Sequence, residues 1–401
     1  MTAADSGVLF DPSDVDTVTS PYPVYDQLRC DDPVHWNPKG FWFLSRYSDV
    51  QACLNDPRFS NRPAPFALVH ARNKNRFAAA DVANNLIAFK DAPEHPKLRG
   101  WVARCFARHS LGKDDILRDL ADEYCQPLVQ DTTFDLVGDF AIPFAACSIC
   151  RVLGLPEQDA QQIANWSDDF FKLFHAIPNA DEFNRLNASL LDFRSCVVQV
   201  IRRRQKARQD DFISELVATA PDGIQEHDIA DNIMLLAADG VGNVQSGIAN
   251  CVSVICQQPD VPPELFGTSK ERACLIDECL RLESPGQYQG RITTEAVEIG
   301  GRTIRAKSIV LLGLAAANRD PAAYAAPQSF DPKRTRPQHM AFGHGAHMCM
   351  GNVLVRREIS AALLGLFDRN CKLRPARPEP DWLMRPGHRW MRSFDLVTGS
   401  V

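Results

Sequence analysis

Apolar residues recur along this chain in three rhythms, and each predicts a different element. Near the start, "PYPVYDQLRC" has the spacing of an amphipathic helix and "GFWFLSRY" that of a strand. "SDVQACLND" reads as a second helix, opened by a Ser-Asp cap. Residues 60–90 have weak periodicity and many small or polar residues, which predicts a long loop of the kind that often carries function. From "PEHPKLRGWVARCF" to about residue 290 the spacing is mostly helical, with capping signals and Pro/Gly stops at "LGLPEQ" and "TAPDGIQEHDI". Residues 291–313 switch to period two around a Gly-Gly turn, the mark of a β-hairpin. A Pro-rich stretch runs to residue 340, the helix "NVLVRREISAALLGLF" follows, and the tail from 371 to 401 alternates again as β structure. The expected class is mainly α with small β-sheets. No repeat and no Ser/Gly-rich linker divides the chain, so one domain over residues 1–401 is expected.

Length and charge narrow the function. A chain of 401 residues can bury a large core without disulfide or zinc staples. Its net charge of −6 argues against a nucleic-acid partner or an anionic membrane surface. "MTAADSGVLFDPSDVD" is polar and acidic, unlike a signal peptide, and no run of about 18 apolar residues is seen, so the expectation is a cytoplasmic protein with no membrane span. The thirteen cysteines are odd in number and lack framework spacing, which predicts mostly buried apolar residues in a reducing compartment. The one CxxC, Cys147 to Cys150, falls in a helical run and is read as core packing.

The chemistry gathers in "AFGHGAHMCMGN", residues 341–352, with His344, His347 and Cys349 close together. A structural zinc site wants four ligands, usually as two close pairs, and no partner pair stands out. A phosphate-binding loop wants a Lys-Ser/Thr ending, which the segment lacks. A cysteine thiolate on haem iron is the third reading. Gly343, Gly345 and Gly351 would let the backbone turn sharply and approach a flat macrocycle. Cys349 stands just before a helix whose N-terminus would favour a thiolate. Phe342 can shield the sulfur, and His347 can bond a propionate instead of a metal.

"FGHGAHMCMG" resembles the Phe-x-x-Gly-x-x-x-Cys-x-Gly signature of the cytochrome P-450 superfamily, in its bacterial soluble form. Further similarities follow in order along nearly the whole chain. "DECLRLESP" matches the family's Glu-x-x-Arg as Glu278 and Arg281, which share a helix face at i,i+3. "ANRDPAAYAAPQSFDPKR" resembles the meander, with Arg334 completing the ion network. "DAPEHPKLRGWV" resembles the helix whose His and Arg bind propionates, here His95 and Arg99, and Arg291 matches another propionate contact. The resemblance implies one mainly helical domain enclosing haem b, with Cys349 as the iron ligand. It implies a monooxygenase that splits O2 with two electrons from a ferredoxin and ferredoxin reductase, on a small-molecule or peptide substrate, as a monomer.

The pattern breaks in "IMLLAADGVGNVQSGIANCV", residues 233–252. The family carries an acid–alcohol pair here that relays protons. In an ungapped match Val241 and Gly242 fall at those positions, and shifted by one they become Gly242 and Asn243. Asp239 is an acid, but it comes about one turn early. Gly240, Gly242 and Gly247 predict a helix that bends or opens. Proton delivery then falls to a water, to Asn243, Gln245 or Ser246, or to a substrate hydroxyl. The polar residues Asn84, Asn85, Gln287, Tyr288, Gln289, His388, Arg389 and Trp390 point to a polar secondary metabolite, such as a peptide, cyclodipeptide or polyketide. Hydroxylation is the default; the alternatives are oxidative C–C or C–O coupling without oxygen insertion, and a haem gas sensor. Arg104, Arg108, Arg356 and Arg357 are candidate contacts for an acidic ferredoxin.

Overall fold

A computed structural model describes residues 8, 10–65, 67–128, 133–174, 179–258, 261–334, 338–367 and 371–400. Residues 1–7, where the polar acidic start was read, lie outside the described residues. The longest helix, Glu226–Cys256, runs through the middle of the molecule. Every residue from Ile229 to Ile255 is buried except Asp239, Gly240, Asn243 and Gln245. Helices Ile142–Leu153, Ala160–Phe170, Ala180–Lys206 and Asn352–Phe367 pack around it. Their apolar faces form one large core. A helix apolar on all sides belongs in such a position, because no face of it needs water.

The β structure is peripheral. One sheet has the order Val34–Asn37, Phe41–Leu44, Ile309–Leu312, Gln289–Thr293, Phe59–Ser60. Only the pairing of Phe41–Leu44 with Ile309–Leu312 is parallel; the others are antiparallel. The predicted hairpin is present as Val297–Ile299 and Arg302–Ile304, turned by Gly300 and Gly301 at φ of 55° and 76°. Such positive angles at both central residues are what a type I′ turn requires. The tail supplies Cys371–Pro375 and Asp395–Ser400, which pair antiparallel.

Several expectations need correction. Residues 60–90 are not a bare loop, since Ala78–Asn85 is a helix with Ala79, Ala80, Val82 and Ala83 buried. Small apolar residues looked aperiodic, but alanine favours helix and packs closely. The helix Tyr47–Asn55 begins after Arg46 with no side-chain cap, so Ser48 and Asp49 lie inside it. Leu136–Leu153 reaches a membrane span's length and mean hydropathy, but it is interrupted by Asp139, Ser148 and Arg151, and 67% of it is buried within the fold. The helix Glu226–Cys256 is unbroken. Its glycines act as contact faces instead: a Cβ at Gly240 would stand 2.5 Å from Ile149, and one at Gly247 would stand 2.9 Å from Ile359.

Candidate active site

Cys349 is positioned by a loop tied at both ends. Its N–H donates to Phe342 O at 2.8 Å, and its carbonyl accepts from Asn352 Nδ2 at 2.8 Å, at the start of the last long helix. Gly343 and Gly345 take φ of 68° and 71°. Gly345 is needed for its neighbour, not for a macrocycle: a Cβ there would meet Leu54 O at 2.7 Å. Phe342 is buried, and Arg356 lies over its ring, 4.4 Å from the centroid. Burial pushes the Cys349 thiol up to about 11, with Asp239 adding to the rise; a hydrogen bond from the Gly351 N–H and the charges of Arg99 and Arg356 pull the other way.

The influence of Asp239 shows what faces the sulfur. Asp239, Gly240, Asn243 and Gln245 are half-exposed in the middle of the most buried helix, and Cys349 is half-exposed too. These residues and Cys349 therefore border accessible space inside the fold, and the Asp239 carboxylate acts on the thiol. Burial raises the Asp239 carboxyl to about 7, and Asn243 Nδ2 donates to its Oδ1 at 3.5 Å. Gly242 lies one turn along from Asp239, on the same side of the helix.

At the edge of this space four basic side chains crowd together. The rings of His95 and His347 stack with centroids 3.7 Å apart. Burial, aided by His95, Arg291 and Arg99, lowers His347 to about 3. Burial lowers His95 as well, with Arg99 adding to it. Arg291 is 6% exposed, is pushed down to about 10 by burial, and among the described residues donates only to Gly290 O and Gln289 Oε1. Arg99 donates to Met348 O. The one acid acting on this group, Asp91, is already bonded to Ser60 Oγ at 2.5 Å and to Asn61 N at 2.9 Å. Buried cations without a counter-ion are costly. Burial disfavours the charged form of both imidazoles, so the positive charge rests on Arg291, which is buried, and Arg99, which is half-buried; this pair is suited to a ligand bringing negative charge, as the two propionates of a haem would.

Behind the loop, the predicted ion network is fully formed. Arg281 donates through Nε and Nη2 to the two oxygens of Glu278, both at 2.8 Å, and Arg334 Nε reaches Glu278 at 3.3 Å. Arg281 also caps the carbonyls of Asn318, Pro327 and Ser329.

Much of the anticipated substrate polarity is used elsewhere. Asn84 bonds Val69 O and Ala80 O, Asn85 bonds Asp231, and Tyr288 packs on Phe43. Gln289 accepts from Arg291, while Arg389 holds Glu283 and the carbonyls of Val18 and Thr19. Asn243, Gln245, His388 and Trp390 remain around the central helix, and Arg385 and Phe171 join them unanticipated. No local motif marks Phe171 or Arg385, because only the fold brings them together. The expected docking set also changes. Arg356 pairs with Asp277 at 2.7 Å and Arg357 with Asp114 at 3.6 Å, leaving Arg104 exposed and without an ion pair among the described residues.

Comparison with known proteins agrees with this geometry. The family model described as "Cytochrome P450" matches residues 273–388. The chain is 32% identical to the 20-oxo-5-O-mycaminosyltylactone 23-monooxygenase of Streptomyces fradiae, over 89% of this chain and 84% of that one. It is 29% identical to the biotin biosynthesis cytochrome P450 of Bacillus subtilis, over 92% and 93% of the two chains. Among solved structures, CalO2 superposes with a TM-score of 0.91 at 28% identity, covering 98% of this chain and 99% of that one. The chain belongs to the cytochrome P450 family of monooxygenases, mainly helical enzymes that carry haem on a cysteine thiolate.

Proposed function

We propose that the whole chain is one catalytic domain, a cytoplasmic monomer that oxidises a polar secondary metabolite with electrons from a ferredoxin and its reductase. Cys349 is the iron ligand, and His95, Arg99, Arg291 and His347 receive the propionates. The observation that carries this reading is Arg291, buried with no carboxylate hydrogen-bonded to it among the described residues, beside Arg99 and the stacked His95 and His347 at the Cys349 loop. Two relatives named for oxidising oxygenated metabolites support the substrate class: the 20-oxo-5-O-mycaminosyltylactone 23-monooxygenase of Streptomyces fradiae, and the mycinamicin IV hydroxylase/epoxidase of Micromonospora griseorubida at 31% identity.

The haem, when bound, supplies O2 activation, and the thiolate's electron donation favours O–O cleavage. The chain's own residues do the rest. The Gly351 N–H holds the sulfur, and Arg99 and Arg356 stabilise its negative charge. Asp239, raised to about 7, holds a proton near neutral pH and can release it, with Asn243 beside it. A carboxyl so tuned suits acid–base work at pH near its own pKa. Gly242 contributes no side chain and leaves the relay to these two.

Cys349→Ser tests the ligand. The variant should fold but lose the red-shifted Soret band of the ferrous carbonyl complex that marks thiolate ligation. A variant that keeps the band overturns the assignment. A product heavier by one oxygen supports hydroxylation; loss of two hydrogens supports coupling.

A further inference from the structure

Gly242 has no room for a side chain. A Cβ built there would stand 2.5 Å from Trp390 Cη2 and 2.6 Å from Phe171 Cε2. Trp390 and Phe171 meet edge to face, with centroids 4.7 Å apart at 82°, and His388 packs on Trp390 at 4.8 Å. The guanidinium carbon of Arg385 lies 4.8 Å from the centroid of the same indole. An aromatic cap thus closes on the central helix at Gly242, one of the two positions at which the family resemblance puts its alcohol.

Two atoms of this cap are unsatisfied. Trp390 is 1% exposed, yet its Nε1 has no hydrogen-bond partner among the described residues. Arg385 is 8% exposed; its Nη2 donates to Asp168 Oδ1 at 2.5 Å and Asp168 O at 3.4 Å, while its buried Nη1 has no acceptor among the described residues. A buried N–H without an acceptor is disfavoured, and a charged donor more so. Two such donors in one aromatic cluster share a missing acceptor.

We propose that Trp390 Nε1 and Arg385 Nη1 receive an acceptor oxygen of the substrate, a carbonyl or a carboxylate, and so fix how it lies against the helix at Gly242. The pair is a specificity determinant, and Trp390 is the reason that no side chain stands at 242. The inference rests on the haem-thiolate reading only for placing substrate on this side of the helix.

The test uses holoprotein and imidazoles bearing alkyl chains of graded length that end in a methyl group, a methyl ester or a carboxylate. The imidazole ligates haem iron and shifts the Soret band, so each probe reports its own binding. At one chain length the ester or the carboxylate should bind about tenfold more tightly than its methyl-ended match, and Trp390→Phe should abolish most of that advantage. Arg385→Met should do the same and should weaken the carboxylate more than the ester; it carries the test alone if the Phe variant does not fold. An advantage absent at every length, or one that survives both substitutions, overturns the proposal. Failure of the haem-thiolate reading would show separately, as a missing thiolate Soret signature before any probe is added.

Discussion

The absence of a side chain at Gly242 is enforced by its surroundings. Adding even one carbon drives Trp390 or Phe171 out of place. Gly242→Ala should therefore destabilise the protein by about 1–3 kcal/mol, read from denaturant midpoints, as overpacking does. Gly242→Thr should supply the family's alcohol without improving the ratio of product formed to NADH consumed. Improved coupling in that variant would mean that the indole yields easily. The missing alcohol could be read from the chain, but its cause could not, because Trp390 and Gly242 meet only through the fold. A second buried acid makes a pH prediction. Glu358 is fully buried on the last long helix, bonded to Ser148 Oγ at 2.5 Å, and burial raises it from 4.5 to about 8. The folded state then binds a proton that the unfolded chain has lost, so its contribution to stability is full below about pH 4.5 and falls as pH rises toward about 8. Glu358→Gln should remove that decline, and a variant with an unchanged stability–pH profile counts against the shift.

At the scale of elements, the central helix is joined to the short helix Ala78–Asn85 by a buried network. Arg194, on Ala180–Lys206, donates to both oxygens of Asp231 at 2.6 and 2.7 Å, and Asn85 donates to Asp231 at 2.8 Å. The next residue, Asn232, accepts from Ile87 N at 2.9 Å. Three segments around the active site are thus fixed by one carboxylate. Asp231→Ala strands Arg194 and should cost about 3–5 kcal/mol. It should also speed amide hydrogen exchange in residues 78–89 more than in the Glu94–Ser110 helix. Equal protection in the two segments would show that the network does not hold the short helix. The long helices were legible because their apolar spacing is strong. Ala78–Asn85 was not, since alanines and asparagines give no periodic signal and its packing is set by Arg194 and Asp231. The predicted opening of the central helix failed for a related reason: glycine permits a break but also permits close approach, and neighbours such as Ile149 and Trp390 decide between them.

At the scale of the whole molecule, the class and the Cys349 loop were legible, because a spaced Cys/Gly signature and a Glu-x-x-Arg pair are local patterns. The surface was less so. Of four arginines expected to meet an acidic redox partner, Arg356 and Arg357 are engaged in ion pairs, and Arg108 lies 3.5 Å from Glu215. Arg104→Glu should slow reduction by a ferredoxin, more at low salt than at high salt, while leaving substrate affinity unchanged. A rate unaffected at any ionic strength excludes that face as the docking site. The crowding of His95, Arg99, Arg291 and His347 also reaches beyond the finished enzyme. A newly made chain buries the Arg291 charge beside Arg99 until a dianionic plate arrives to balance them, so the cofactor acts as a folding partner, stabilising the native state by mass action. The yield of this protein in a cell should then follow porphyrin and iron supply, with starved cultures losing the chain to proteolysis before it is ever an enzyme.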